Sequence, residues 1–507
     1  MFTVSKRPTI NEIQTLYRIQ KATPSQVTNF FLNRIKSLDL KLNAFYQVTS
    51  ELAIKTALAQ DKILENTSDF GQLIEKYPLF GIPYSLKSII LAEDFEFNAS
   101  SKILKNYIAP YSSTVFTKIK DAGGILMGIV NMDEFAMGAS GESGAYGPVR
   151  NPFDTNRVPG GSSAGSACSV GSGEVIFSLG TDTGGSIRQP SAFCDTVGLK
   201  PTYGLVSRFG VIPMASSLDQ VGPITNSVTD NLLLISLLAG QDSSDQTSIN
   251  STSLTVKLKD LHKKQTFSSR KVSKILKTSN PIKIGIPKEF FIDGIDPSIQ
   301  NAIQELILKL KKIGHETIEI NLPMNYYAIA VYYLMMSVEV AANLERVDGV
   351  RYAMQENKYD ELFFEHRDKY FGEEAKRRIM LGTYASSAGY LDAYYKKALA
   401  VRELAKQDYE KAFKKCDLIL APTTPEFPFK IGDKTSDPLK MYLSDVFTCG
   451  INPVQIPGLN VPLGLLENHE SQSKLPSGCQ ILGPELSEDR IYALALEIEN
   501  LIQSKNK

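Results

Sequence analysis

The sequence predicts an α/β protein with a central mixed β-sheet and helices on both faces. From about residue 79, short apolar runs alternate with helical stretches, which is typical of layered α/β folds. The 507 residues are 43% apolar and 22% charged, as in globular proteins with a large core. No internal repeat or long low-complexity tract was found. We therefore expect one large domain.

The N-terminal segment, residues 1–65, is predicted to be helical from residue 8 onward. Thr23 precedes Pro24 and Gln26, which is typical of a helix start, because Thr caps a helix and Pro fits its first turn. Apolar residues then recur at helical spacing on one face: Phe30, Phe31, Ile35 and Leu38. The remaining chain, 66–500, is assigned to the main domain.

The main domain is predicted to contain strands and helices in alternation. Short runs rich in β-branched and aromatic residues favour strands, and longer amphipathic runs favour helices. The predicted strands are 79–90, 125–130, 192–200, 281–287 and 317–320, and the predicted helices are 113–122 and 297–313.

A basic insert occupies about residues 254–280. Residues 256–277 contain eight Lys or Arg and one Asp, interleaved with Leu and Val. Such a segment can contact RNA, but charge runs usually mark solvated faces. We interpret it as a solvated loop or a surface helix.

Charge and cysteine content limit the possible classes of protein. Lys+Arg and Asp+Glu balance at 55 each, so no overall positive field favours direct nucleic-acid binding. Five Cys form no Cys-x-x-Cys pair, and Cys and His lack metal-ligand spacing, so we expect a reducing compartment and no metal site. The N-terminus has no apolar signal region, and the apolar run 232–239 is too short to span a membrane. We expect a cytoplasmic protein with no membrane association.

The stretch 159–188 is the first candidate for chemistry. It is rich in Gly and Ser, yet apolar residues run through it, unlike a flexible linker. Ser162 and Ser186 each follow two glycines, a backbone context that can aim N–H groups into a cavity and stabilise an oxyanion. The alternative is that these glycines only permit tight turns.

A serine nucleophile needs a base, and Lys87 is the candidate. The four His lie far from the Gly/Ser stretch in sequence, and the Gly-x-Ser-x-Gly elbow of Ser-His-Asp hydrolases is absent. Lys87 lies in the apolar run LFGIPYSLKSII, and burial lowers a lysine's pKa. It is expected at a strand end, or neutral and hydrogen-bonded; a lysine with its charge at a strand edge is the simpler alternative.

These three motifs together resemble the amidase signature family. The resemblance implies its fold and its Ser-Ser-Lys triad: Lys87 as base, Ser162 as bridging serine after a cis peptide bond, and Ser186 as nucleophile, 24 residues further on. Backbone N–H groups of Thr183, Gly184 and Gly185 are then expected to hold the oxyanion. Two residues depart from the family pattern. Ser88 replaces the usual Asp, and Ala164 replaces a Gly and requires a negative φ.

Four further segments, 132–152, 216–225, 343–352 and 376–398, resemble the amidase subunits of tRNA-dependent amidotransferases, over roughly residues 5–500. This resemblance implies hydrolysis of glutamine, with ammonia passed to a B subunit that converts Glu-tRNA(Gln) to Gln-tRNA(Gln), or Asp-tRNA(Asn) to Asn-tRNA(Asn). It also implies a C subunit completing a heterotrimer, misacylated tRNA bound mainly by the B subunit, and ATP and Mg²⁺ used by the whole complex. This chain itself has no Gly-x-x-x-x-Gly-Lys-Ser/Thr loop and is expected to need no cofactor.

The same resemblance assigns glutamine binding to Tyr332, Arg378 and Asp445. An Arg can grip the α-carboxylate, and an Asp can accept from the α-ammonium. Without the resemblance, Tyr332 is as easily a core aromatic, Arg378 one of three solvated cations, and Asp445 a helix cap. A stand-alone amidase acting on another small amide or ester is the second hypothesis, and a non-catalytic scaffold is the third.

Overall fold

One β-sheet lies at the centre of the molecule. The structure, a computed structural model, describes residues 2–268, 281–291, 294–348, 352, 362–468 and 470–504. Its strands are β1 Phe45–Val48, β2 Ile82–Lys87, β3 Gly124–Val130, β4 Phe177–Asp182, β5 Val197–Lys200, β6 Gln220–Thr225, β7 Lys283–Pro287, β8 Glu316–Ile320, β9 Leu418–Pro422, β10 Gly458–Asn468 and β11 Ser473–Leu482.

The eleven strands are ordered β1-β3-β2-β4-β6-β5-β10-β11-β9-β7-β8. Strand β2 is parallel to β3 and β4, and β7 is parallel to β8 and β9, whereas the other pairs are antiparallel. Every residue of β2, β4 and β6 is buried. Because neighbouring side chains of a strand point to opposite faces, both faces of the sheet are covered here. The prediction of a mixed sheet is confirmed.

Helices cover the sheet. Those of the described residues are α1 Ile10–Arg18, α2 Pro24–Leu42, α3 Ser50–Glu65, α4 Phe70–Lys76, α5 Thr114–Asp121, α6 Ala164–Gly171, α7 Arg188–Phe193, α8 Val228–Leu238, α9 Thr252–Ser268, α10 Pro297–Ile313, α11 Ala328–Leu344, α12 Leu362–Tyr370, α13 Glu373–Ser386, α14 Lys397–Phe413, α15 Pro438–Leu443 and α16 Glu488–Gln503.

The N-terminal segment begins as predicted and then departs from the prediction. Thr23 and Gln26 form a reciprocal capping box at the start of α2, which satisfies N–H groups that a helix end leaves free. Phe31 and Ile35 are buried on the predicted face. The expectation of helix throughout 8–65 is wrong at β1, because Phe45–Val48 pairs with β3 in the sheet.

Two predicted strands are shorter than expected because the chain turns at their ends. After β2, the N–H groups of Ile89 and Ile90 both donate to the carbonyl of Lys87, at 2.7 and 2.9 Å. This turn leaves Lys87 as the last residue of the strand. Within 192–200, the first residues belong to α7, where Cys194 N–H donates to Pro190, and only Val197–Lys200 forms a strand.

The basic insert begins as a surface helix. In α9, Leu254 and Leu258 are buried, while Lys257 is exposed and lies 3.6 Å from Asp489. This confirms the surface-helix interpretation for residues 252–265. The end of the predicted insert, 269–280, lies outside the described residues.

One helical run is unusually apolar. Among the described residues, Pro323–Leu344 has the length and hydropathy of a membrane span, and 50% of its most apolar window is buried inside the protein. Core helices of proteins pass the same test. This run includes α11, which carries Tyr332 toward the site described next.

Candidate active site

Lys87, at the end of β2, is the centre of a buried hydrogen-bond cluster. Its Nζ lies 2.8 Å from Ser162 Oγ, 2.9 Å from Ser163 Oγ and 2.8 Å from Thr181 Oγ1. The side chain is fully buried. Burial lowers the pKa of Lys87 to about 7, although the negative charges of nearby aspartates act in the opposite direction. A substantial fraction of this amine is therefore neutral near pH 7 and able to accept a proton.

Ser162 is held in a turn just before α6. The peptide bond between Gly161 and Ser162 is cis. Asp133 N–H donates to the carbonyl of Ser162 at 3.3 Å, and the Asp133 carboxylate accepts from Gly141 N–H and Ser143. A Cβ at Gly161 would lie 1.9 Å from Asp133 Oδ2, so glycine is required there. Asp133 thus supports this turn, a role that sequence analysis did not single out.

Ser186 lies in the loop between β4 and α7. Its carbonyl accepts from Ser163 N–H at 3.1 Å, which brings the backbones of the two serine motifs together. The residue is 8% exposed. The structure therefore brings Lys87, Ser162 and Ser186 into one region, although the three motifs are as many as 99 residues apart in the sequence.

The ion pair between Asp182 and Arg188 supports this loop. Both side chains are fully buried, with Arg188 Nε 3.0 Å from Asp182 Oδ2 and Nη2 3.1 Å from Oδ1. Burial alone raises the pKa of Asp182, but Arg188 outweighs it and lowers the value to about 2. Asp182 Oδ1 also accepts from Gly185 N–H at 2.8 Å. The predicted use of the Gly185 N–H for an oxyanion is therefore not supported, because that hydrogen is already donated.

The other predicted oxyanion donors are differently placed. Within the described part of the chain, the N–H groups of Thr183 and Gly184 have no hydrogen-bond acceptor, and neither has that of Ser186. Tyr332 lies directly against Gly184, since a Cβ there would be 2.3 Å from the tyrosine Cζ. Only a glycine permits this approach of the α11 side chain to the loop.

The predicted glutamine contacts lie on three different elements around this loop. Tyr332 is on α11, Arg378 is on α13 and Asp445 follows α15; their exposed fractions are 4%, 4% and 7%. Thr448 Oγ1 donates to the carbonyl of Gly184 at 3.0 Å, and its N–H donates to the carbonyl of Asp445 at 2.9 Å. The segment carrying Asp445 is therefore joined to the loop that carries Ser186.

Arg378 is held by residues that sequence analysis missed. Its Nε donates to Glu374 Oε1 at 2.7 Å, and its guanidinium carbon lies 5.4 Å and 5.9 Å from the ring centroids of Tyr333 and Tyr442. The two rings stack at 3.8 Å. These contacts orient the guanidinium. The i, i+4 spacing of Glu374 and Arg378 was the one signal available in the sequence.

Asp445 presents an oxygen with no partner. Its Oδ1 is buried and has no hydrogen bond, and in the described part of the chain it forms no ion pair with Arg378. Burial raises the pKa of Asp445 well above its usual range, and the charge of Arg378 lowers it in part. An unsatisfied buried carboxylate oxygen costs about 1–3 kcal/mol or more, which a bound donor would offset.

A cavity of about 220 Å³ opens beside these residues. Asp133, Tyr333, Arg378 and Tyr442 are among the side chains that line it. Its lining runs from Arg378 to Asp133, which supports the Ser162 turn, and a small polar molecule fits its size.

The two departures noted in the sequence are accommodated. Ser88 is buried and donates to Asn98 Oδ1 at 3.1 Å, away from the Lys87 amine. Ala164 is the first residue of α6 and is not among the residues with positive φ, as its Cβ requires. Neither change disturbs the contacts of Lys87.

A family model described as Amidase matches residues 26–492. The chain belongs to the amidase family. The A subunit of glutamyl-tRNA(Gln) amidotransferase from Trichlorobacter lovleyi is 44% identical over 502 residues, covering 98% of each chain. That of Thermoanaerobacter pseudethanolicus is 43% identical over 494 residues, covering 97% of this chain and 96% of its own. Within the amidase family, the chain thus belongs with these A subunits.

Solved structures of other proteins share the fold. The A subunit of glutamyl-tRNA(Gln) amidotransferase from Thermotoga maritima superposes with a TM-score of 0.76 at 34% identity, covering 98% of this chain and 96% of its own. A 6-aminohexanoate cyclic dimer hydrolase superposes with a TM-score of 0.79 at 19% identity, covering 99% of this chain and 98% of its own, and shows likeness of fold alone. The predicted amidase signature fold is confirmed.

The prediction of no metal site stays a prediction. Among the described residues, no group of three or more His, Cys, Asp or Glu side chains could hold a metal ion.

Proposed function

We propose that this amidase is the glutamine-hydrolysing component of a tRNA-dependent amidotransferase. The observation that carries the proposal is the unpaired, buried Asp445 Oδ1 near Arg378, beside the Ser186 loop. A buried cation near a buried carboxyl group that has no partner suits a ligand that carries both a carboxylate and an ammonium. Free α-amino acids have an α-carboxylate and an α-ammonium.

The amide of glutamine supplies the group to be cleaved. With its α-carboxylate on Arg378 and its α-ammonium on Asp445, the side chain of glutamine extends toward Gly184 and Ser186. Tyr332, packed on Gly184, forms one wall of this path. The full-length similarity to the A subunits of glutamyl-tRNA(Gln) amidotransferases supports glutamine as substrate.

The chemistry begins with proton transfer along the triad. Neutral Lys87 accepts the Ser162 proton while Ser162 accepts the Ser186 proton, and Ser186 Oγ bonds to the amide carbon. The oxyanion is held by the free N–H groups of the loop, with Thr183 and Gly184 as donors. Removal of one such donor typically raises the barrier by about 3–4 kcal/mol.

Collapse of the tetrahedral intermediate breaks the carbon–nitrogen bond. Ser162 returns a proton to the nitrogen, ammonia leaves, and a glutamyl ester remains on Ser186. Water then adds to the ester with the same base, and glutamate leaves as Ser186 regains its proton. The total charge of the site does not change in any step, because Lys87 and the serines only relay one proton.

The ammonia is passed to a partner in this proposal. The carboxyl of Glu-tRNA(Gln), or of Asp-tRNA(Asn), is activated with ATP and Mg²⁺ by a B subunit, and a C subunit completes a heterotrimer. The balanced charge of this chain supports tRNA binding mainly by the B subunit. We place the complex in the cytoplasm.

The test is glutamate release from glutamine by the chain purified with its co-expressed partners. Wild type is compared with Ser186→Ala and with Ser236→Ala, which changes a buried serine of α8 whose hydroxyl donates to the carbonyl of Leu233. We expect glutamate release to be lost in Ser186→Ala and kept in Ser236→Ala. In the active proteins, release should rise when misacylated tRNA and ATP are added. Hydrolysis of simple amides but not of glutamine, with no bound partner, would instead support a stand-alone amidase.

A further inference from the structure

Asp219 contacts the loop that carries Ser186, yet the mechanism above assigns it no role. It lies one residue before β6 and is 5% exposed. Its Oδ1 accepts from Thr183 Oγ1 at 2.7 Å, and its Oδ2 accepts from the N–H groups of Met214 and Ala215 at 2.9 and 3.0 Å. No Lys, Arg or His of the described residues forms an ion pair with it. Its charge is therefore stabilised chiefly by neutral donors.

We propose that Asp219 is a positioning residue that sets the direction of the Gly184 N–H toward the oxyanion. The proposal rests on the proposed function, because it concerns the same glutamine hydrolysis. Asp219 touches neither the substrate nor the reacting atoms; it acts through Thr183.

The Thr183–Gly184 peptide links Asp219 to a proposed oxyanion donor. The carbonyl of Thr183 and the N–H of Gly184 belong to one planar unit that turns as a whole about the Thr183 Cα–C bond, so holding Thr183 restrains one end of that unit. Gly184 has no Cβ and is followed by Gly185 at φ +127°. Such a backbone has wide conformational freedom, so the donor direction must be set by contacts outside the two glycines.

Separate side chains hold different parts of the loop that carries Ser186. In the second half of the loop, Asp182 accepts from the Gly185 N–H, and Thr448 donates to the carbonyl of Gly184. Asp219 is the side-chain anchor of its first residue, since the hydroxyl of Thr183 makes no other hydrogen bond among the described residues. Loss of this bond would free the Thr183–Gly184 peptide at one end.

Asp219 is itself held in place through contacts with α11. Its turn, residues 214–219, is bonded to α11: Asn343 Nδ2 donates to the carbonyl of Met214 at 3.1 Å, and Ser217 N–H donates to Glu339 Oε2 at 2.8 Å. The same helix places Tyr332 against Gly184. Helix α11 thus supports the loop in two ways, directly through Tyr332 and indirectly through Asp219. Both contacts fix the position of the Gly184 N–H relative to Tyr332.

Thr183→Val and Thr183→Ser test this inference. Valine has nearly the shape of threonine but has no hydroxyl for Asp219, whereas serine keeps the hydroxyl. We expect Thr183→Val to lower kcat for glutamine by about tenfold or more with KM within about twofold, because the lost interaction matters in the transition state. Thr183→Ser should recover most of kcat. Asp219→Ala should resemble Thr183→Val in its kcat-to-KM split.

The matched control is Thr114, whose hydroxyl donates to Asp242 at 2.5 Å outside the site. Thr114→Val should lower the melting temperature without changing kcat. The wild type and Ser186→Ala are assayed first, so failure of the proposed function would appear as no glutaminase activity in the wild type. If the wild type is active but Thr183→Val keeps full kcat, or Thr183→Ser is as impaired as Thr183→Val, the positioning role of Asp219 is wrong.

Discussion

The amine of Lys87 lies 2.8 Å from the hydroxyl of Ser162, and no carboxylate of the described residues touches that amine. The negative charges of the site act on Lys87 only from a distance. This arrangement differs from an ordinary salt bridge, which would keep lysine protonated. The amine is therefore kept as a base whose basicity is set by burial.

The pH dependence of glutamine hydrolysis follows from this relationship. With the pKa of Lys87 lowered to about 7, the neutral base is scarce below that pH and predominates above it. We expect kcat/KM to rise with pH through an acid limb near 7 and then level off. A pH profile from about 5.5 to 9 measures this limb.

Lys87→Met should lower kcat by about 10²–10⁴-fold at every pH, the usual contribution of a general base. Lys200→Met is the control: Lys200 is also fully buried, with a pKa lowered to about 7, but its amine bonds to Pro201 and Gln220. It is expected to change stability while the acid limb remains. If the acid limb moves in Lys200→Met, the assignment of that limb to Lys87 is wrong.

Arg378→Ala should chiefly raise KM for glutamine. The loss of a buried charge that grips the α-carboxylate costs about 2 kcal/mol or more, or roughly 30-fold in KM. Arg490→Ala, at an exposed arginine of α16, serves as control and should leave KM unchanged. An unchanged KM in Arg378→Ala would remove Arg378 from the site.

Asp445→Ala should impair glutamine hydrolysis and spare that of an analogue without the α-amine. Because Asp445 Oδ1 has no partner in the described part of the protein, its proposed partner is the substrate ammonium. Steady-state kinetics with glutamine and with glutaramate, which lacks that ammonium, measure the difference. An equal loss of kcat/KM for both substrates would mean that Asp445 acts on the protein alone.

Gly185→Ala should abolish activity, and Gly464→Ala should not. Both glycines have positive φ, at +127° and +81°, so alanine strains the backbone at each. At Gly185 the new Cβ would also lie 2.1 Å from Thr448 Oγ1, whereas nothing lies within 4 Å at Gly464. Comparing the two separates crowding of the Ser186 loop from backbone strain. Similar losses of activity in both variants would contradict this interpretation of the loop.

Glu134 predicts a pH dependence of stability. It is buried, and it accepts from Ser101 and from Gly372 N–H at 2.8 Å, at the start of α13. Burial raises the pKa of Glu134 from 4.5 to about 7. Between these two pH values the folded state therefore binds more protons than the unfolded state. The contribution of Glu134 to the free energy of unfolding thus falls as pH rises through this window.

Glu134→Gln removes this titration. We expect the stability of the wild type relative to Glu134→Gln to fall by about 2 kcal/mol between about pH 5.5 and 8. Urea unfolding at the two pH values measures the difference for each protein. A difference that does not change with pH, or that grows at the higher pH, would show that Glu134 is not protonated preferentially in the folded state.

The sequence by itself determined the features that depend on neighbouring residues. The capping box at Thr23 and Gln26 and the bounds 297–313 of α10 follow from local hydrogen bonding and helical periodicity. The Gly/Ser stretch and Lys87 were recognisable as candidates because their residue types and spacings are unusual. These signals act over a few residues, or match a family pattern, and do not require the fold.

Only the tertiary structure decided which groups in the site are free and which are engaged. The Gly185 N–H is used by Asp182, a carboxylate three residues away whose direction is set by Arg188. The hydrogen bond from Thr183 to Asp219 joins residues that are 36 positions apart in the sequence. Hydrogen-bond donors and buried charges are paired through the packing of distant segments, so their availability depends on three-dimensional geometry that local sequence patterns do not contain.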